Sequence, residues 1–129
     1  MKPKTKLYEE SLTREIIGSA IEVHRNLGPG LLESSYEACL CHESGLRGIK
    51  FQYQDPLPLE YKGVRLDCGY RPDVIVERLV ILEIKSVAAL APIHEAQLIT
   101  YLKLTKISVG LLMNFSVTVL KNGLRRLVV

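Results

Sequence analysis

The run Leu79-Val80-Ile81-Leu82-Glu83-Ile84-Lys85-Ser86-Val87 constrains this chain more than any other segment. It opens with uninterrupted apolar residues, as a central strand buried on both faces does. Glu83 and Lys85 then break the pattern two residues apart, so on a strand they project from one face. A charge in such a strand costs several kcal/mol unless it is paired, metal-bound or solvated at a cleft. Either the strand ends at a site with ionic chemistry, or Glu83 and Lys85 are a surface ion pair.

The flanking segments give that strand its setting. Leu12, Ile16, Ala20, Val23 and Leu27 recur at helical spacing, which predicts a helix capped by Thr13 and stopped by Asn26-Leu27-Gly28-Pro29-Gly30. A second helix is expected over about 31–44 and ends at Gly45. Strand patterns follow at 49–54, 57–61, 64–70 and 73–76, with turns at Lys62-Gly63 and Glu77-Arg78. Pro92 is tolerated only in a first helical turn, so the third helix starts near it and runs to about 104. Another apolar strand covers 108–115, and 117–120 is expected to pair with 124–129 across Asn122-Gly123. The expected order is α-α-β-β-β-α-β-β, an α/β fold with helices flanking a mixed central sheet.

At 129 residues there is room for one domain, expected over 12–129 behind a flexible tail at 1–11. The 47% apolar content excludes a mostly disordered chain. No apolar stretch approaches the ~18 residues of a membrane span, and the N-terminus has no secretory apolar region, so a cytoplasmic location is expected. The net charge of +3 permits a nucleic-acid partner without demanding one. Cys39, Cys41 and Cys68 are an odd set, expected to be reduced. Cys39-Leu40-Cys41-His42 superficially suggests zinc, but residues two apart on a helix cannot share one ion.

The chemistry gathers around Pro72-Asp73 and Glu83-Ile84-Lys85. A tight turn between neighbouring strands brings Asp73 beside Glu83, with Lys85 on the same face. Asp73 and Glu83 are hard oxygen ligands suited to Mg²⁺ or Mn²⁺, and the Ile84 carbonyl between the charged side chains can add a third oxygen. Lys85 is placed to orient or deprotonate the attacking water, or to offset charge on the pentavalent phosphate. Gln97 and Tyr101 are four apart on the third helix, with His94 on the same face, and suit holding a phosphate or positioning Lys85. Glu33 opens the second helix, either to complement its dipole or as a third carboxylate at the site, with Tyr36 one turn on to fix its rotamer. His24, near the end of the first helix, is within range but reads more simply as structural.

Gly30-x-x-Glu33-x-x-Tyr36, preceded by Leu27-Gly28-Pro29, resembles the small bacterial and archaeal GxxExxY proteins, placed in the PD-(D/E)xK nuclease superfamily. The resemblance runs from about Leu12 to Val129. Pro72-Asp73 and Glu83-x-Lys85 match the superfamily pattern, and Gln97-x-x-x-Tyr101 resembles the extra motif of its RecB-like members. It implies a restriction-endonuclease-like core and Mg²⁺-dependent phosphodiester hydrolysis. Asp73 and Glu83 would be ligands, Lys85 would sit at the water, and Glu33 would be the carboxylate from the N-terminal helices. The expected substrate is nucleic acid, DNA in the first instance, and so small a nuclease is expected to act as a homodimer. With no Trp and two Phe, contacts through Lys and Arg to the phosphate backbone are favoured over base stacking. The alternative is a nuclease-fold binding or assembly module without catalytic activity, or one that acts only with a partner protein.

Overall fold

The computed structural model describes the backbone of residues 3–129 and the side chains from residue 6 onward. Helix α1 (Pro3–Leu27) packs on α2 (Glu33–Leu46). Strands β1 (Phe51–Tyr53), β2 (Leu59–Tyr61), β3 (Val64–Leu66), β4 (Val74–Val76) and β5 (Val80–Lys85) follow, then α3 (Pro92–Thr105), β6 (Val109–Asn114) and β7 (Leu124–Val128). The main sheet is five-stranded in the order β1-β4-β5-β6-β7, while β2 and β3 pair only with each other. Without that inserted hairpin, the chain reads α-α-β-β-β-α-β-β, as expected. β5 and β6 are parallel and the other neighbours antiparallel. The parallel pair requires a crossover, which α3 supplies.

Two apolar layers enclose the sheet. Val74, Val76, Val80, Leu82 and Ile84 pack with Leu12, Ile16, Ala20, Tyr36 and Leu40 of the first two helices. Ile75, Ile81 and Leu112 pack on the other face with Leu98, Tyr101 and Leu102 of α3. Each such buried aliphatic side chain contributes about 1.5–3 kcal/mol. Alternation along the strands puts Asp73 on the face of Ile75, and Glu83 and Lys85 on the face of Ile81. The charged residues therefore stand toward α3, at the end of the sheet.

Three expectations need correction. Residues 3–11 of the expected tail are helical, and Met1 and Lys2 lie outside the described residues. Lys4, Lys6, Glu9 and Glu10 are good helix formers, so α1 starts well before Thr13. Thr13 is then an interior residue whose hydroxyl donates to the Glu9 carbonyl at 2.7 Å. The strands expected at 57–61 and 64–70 shrink to three residues each and leave the main sheet, since no layer covers them.

The third correction concerns Asn122-Gly123, which ends a 3-10 turn (Leu120–Gly123) and not a two-residue hairpin. β7 pairs with β6, and residues 117–120 form no strand. A Cβ on Gly123 would lie 2.2 Å from the Asn114 carbonyl oxygen, so this glycine serves close backbone approach. Leu124 and Leu127 of β7 pack on the two cores, while Val128 and Val129 are exposed. Glu77 and Arg78 form the expected tight turn at φ 50° and 59°. The Tyr8 hydroxyl donates to the Glu77 carboxylate, and the Glu77 amide donates to the Lys50 carbonyl at 3.1 Å.

Candidate active site

Asp73 and Glu83 meet where β4 begins and β5 approaches its end. The Val74–Leu82 register places them opposite one another. Each carboxylate engages the partner strand's backbone. The Asp73 amide donates to Glu83 Oε2 at 2.8 Å, and the Ile84 amide donates to Asp73 Oδ2 at 2.8 Å. The Ile84 amide thus finds its acceptor in a side chain, just beyond the three residues of β4 that pair with β5. Among the described residues, Asp73 Oδ1 and Glu83 Oε1 receive no protein donor, and no buried side-chain polar atom is left without a partner. Those two oxygens are therefore open to a ligand or solvent.

The Lys85 carbonyl accepts from the Phe115 amide on the β6 side at 2.9 Å. Successive strand carbonyls point to opposite edges, so the Ile84 carbonyl points to the β4 edge, beside Asp73. Glu33 reaches the same end from α2, where its Oε2 accepts the Ser86 amide at 3.0 Å. The Ser86 hydroxyl donates to the Leu31 carbonyl at 2.9 Å, which fastens the end of β5 to the loop before α2. Glu33 thus acts across the fold, while α2 starts without a side-chain cap.

Electrostatics mark the pair. Glu83 is only 3% exposed. Burial pushes both carboxyls up, Asp73 to about 6 and Glu83 to about 8. For Glu83 the charge of Asp73 adds to the effect of burial, while Lys85 opposes the rise in both groups. A simple Glu83–Lys85 surface pair does not describe this arrangement. Glu83 is buried, and among the described residues the contact ion pairs lie elsewhere.

The donor set fits a hard divalent cation. The buried Glu83 carboxylate and the half-buried Asp73 carboxylate share one end of the sheet, each with an oxygen to spare and a backbone carbonyl alongside. Among the described residues no three His, Cys, Asp or Glu side chains form a ready-made cage. An open pair of this kind suits an ion that keeps several waters, as Mg²⁺ does.

The supporting residues fall differently from expectation. Gln97 Nε2 approaches the Tyr101 hydroxyl at 3.4 Å, and burial first and the Glu83 charge second raise the Tyr101 phenol. Tyr101 therefore faces the carboxylates, with Tyr70 edge-on at 6.3 Å between ring centroids, whereas Gln97 is exposed and forms no hydrogen bond to Lys85. Tyr36 does not fix the Glu33 rotamer. Its hydroxyl donates to the Gly28 carbonyl at 2.5 Å and accepts from the Leu31 amide at 3.1 Å, and its ring stacks on Phe115. It shapes the loop that delivers Glu33. His94 Nδ1 accepts the Ala91 amide at 2.9 Å, and His24 Nε2 donates to the Val117 carbonyl at 2.8 Å, so both are structural.

Two residues were not anticipated. Glu37 is 5% exposed and its charge acts on Asp73 and Glu83. Gln54 Nε2 donates to Glu37 Oε1 at 2.9 Å, and the Gln54 amide donates to the Asp73 carbonyl at 3.0 Å. The available signal for Glu37 was its position four residues after Glu33, on the same helical face. Gln54 carried no comparable signal.

No curated protein sequence and no solved structure matches this chain. The family profile of the PD-(D/E)XK nuclease superfamily matches residues 10–127. That span contains the pair Asp73 and Glu83-x-Lys85 described above. Members of the superfamily generally hydrolyse phosphodiester bonds and typically use divalent metal ions. The fold, the placement of these residues and the profile lead to one assignment: the chain belongs to the PD-(D/E)XK nuclease superfamily.

Proposed function

We propose that this protein is a Mg²⁺- or Mn²⁺-dependent nuclease that hydrolyses phosphodiester bonds in DNA. The observation that carries the reading is the Asp73–Glu83 pair, half-buried and buried, crossed onto each other's backbone beside Lys85. Asp73, Glu83 and the Ile84 carbonyl would hold the ion. When bound, the ion polarises the phosphodiester and acidifies a water. The reciprocal backbone bonds keep both carboxylates aimed before substrate arrives, so little reorganisation is needed. Lys85 orients the attacking water and offsets negative charge accumulating on the phosphoryl oxygens. Glu33 holds the Ser86 amide and so fixes the strand end that carries Lys85. Tyr101 lines the α3 side, with Gln97 at its hydroxyl.

Within the superfamily we assign the chain to the GxxExxY type. Glu33 and Tyr36 support this, since both work at the loop that meets Ser86. Substrate contact is expected through Lys and Arg to phosphates, with weak sequence preference and strong salt dependence. A cytoplasmic location and a homodimer belong to the same reading. No helix among the described residues is long and apolar enough to cross a membrane.

The test is cleavage of labelled DNA and RNA substrates with Mg²⁺ or Mn²⁺, beside Lys85→Ala prepared identically. Metal-dependent cleavage of DNA, lost in the variant, is expected. Equal cleavage by both proteins would overturn the assignment of Lys85. Absence of cleavage together with absence of metal binding would favour a non-catalytic module on the same fold.

A further inference from the structure

The end of β1 carries an unusual backbone. Gln54 is a non-glycine residue at φ 51°, in the left-handed region that side chains disfavour. Such a conformation persists only where its surroundings enforce it. Two hydrogen bonds do so here. The Gln54 side chain donates to Glu37, a carboxylate almost wholly inside the protein, and the Gln54 amide donates to the Asp73 carbonyl. Asp73 in turn receives the Ile84 amide on its carboxylate. The chain of contacts thus runs from α2 through Gln54 to the backbone of Asp73, and ends at β5.

We propose that Glu37 and Gln54 are positioning residues for Asp73. Glu37 locks the Gln54 side chain, which holds the left-handed turn, and that turn aims the Gln54 amide at Asp73. The link sets where the Asp73 carboxylate meets Ile84, and hence where a cation would sit. The consequence for metal affinity rests on the nuclease reading above, whereas the consequence for the Asp73–Ile84 bond does not.

Gln54→Gly separates positioning from general stability. Glycine adopts the same φ without strain and keeps the backbone amide, which offsets the lost hydrogen bond and the freedom glycine adds to the unfolded chain, so the variant should melt within a few degrees of wild type. It loses only the link to Glu37. Amide hydrogen exchange, read by NMR on the whole metal-free chain, should show Ile84 exchanging about tenfold faster, while Ile81 and Leu82 are unchanged. Glu37→Ala should do the same. Glu37→Gln, whose carbonyl can still accept from Gln54, should restore Ile84 to within about twofold of wild type. Calorimetry with Mn²⁺ alone should show Gln54→Gly binding about 10-fold more weakly, the usual effect of losing a residue that orients a ligand.

Ile84 exchange unchanged in both Gln54→Gly and Glu37→Ala would overturn the proposal, whether or not the protein binds Mn²⁺. Failure of wild type to bind Mn²⁺, with Asp73→Asn indistinguishable from it, would instead count against the nuclease reading. The exchange result would still decide the positioning role.

Discussion

Two hairpins follow one another in this chain and assign residues to solvent in opposite ways. In β2–β3 the register puts Leu59, Tyr61, Val64 and Leu66 on one face, with Glu60 opposite Arg65 on the other. Tyr61, Val64 and Leu66 are nevertheless 61%, 54% and 42% exposed. In β4–β5 the apolar residues are buried, and so is Glu83. The difference comes from topology. β5 lies between β4 and β6 with helices on both faces, whereas β2–β3 hangs outside the sheet as an isolated pair. A two-stranded ribbon has little stability of its own. An alternating pattern thus marks a strand without showing that anything covers it. A carboxylate inside the best-packed strand is costly to the fold and useful to a site.

If that contrast is right, Glu83→Gln and Lys85→Ala should lower metal-dependent cleavage most, by roughly 10²–10⁴-fold, as loss of a group acting in the transition state does. Single-turnover rates check this. Full activity in either variant would break the comparison. Next in size is truncation in the packed strand. Leu82→Ala should cost about 2–5 kcal/mol by denaturant unfolding, since Leu82 is buried against the α1–α2 layer.

The third effect is pH dependence. Burial raises Asp73 and Glu83 above their unfolded values, so the native state holds their protons more tightly. Without metal, their contribution to stability is greatest near and below the unfolded pKa, about 4. It should fall as pH rises through about 6 for Asp73 and about 8 for Glu83. Melting temperatures from pH 4 to 9 test the sign, and Glu83→Gln should flatten the upper part of that decline. A metal-free protein that gains stability across this range through these groups would contradict it. The smallest effect belongs to the ribbon. Val64→Thr should change unfolding free energy by no more than about 0.5 kcal/mol, because little burial is lost.

Much of this was readable in the sequence, for reasons that residues make plain. The run into Glu83-x-Lys85, the turn at Glu77-Arg78 and the start of α3 at Pro92 are local patterns, and local physics decided them. Asn122-Gly123 misled because a hairpin dipeptide also suits a place where backbone passes close to backbone, here the Asn114 carbonyl. The detachment of β2–β3 was invisible, since alternation does not report what lies above a strand. Glu83 and Lys85 stood out as candidates because charges are conspicuous in an apolar run, and Asp73 because Pro72-Asp73 opens the neighbouring strand ten residues earlier. Glu37 was marked only by its place four residues after Glu33, a weak signal, because an acidic residue on a helix is ordinary until the fold buries it. The true work of Tyr36 depends on Gly28 and Leu31 closing around its hydroxyl, which is tertiary information.

The most direct test of the central claim, that Glu83 is kept for function at the expense of stability, is thermal melting of wild type and Glu83→Gln at pH 8, with and without Mg²⁺. The variant should melt higher than wild type in the absence of metal, and Mg²⁺ should raise the melting temperature of wild type while leaving the variant unmoved. A variant that melts lower, beside a wild type indifferent to Mg²⁺, would show Glu83 to be a structural acceptor for the Asp73 amide and contradict the claim.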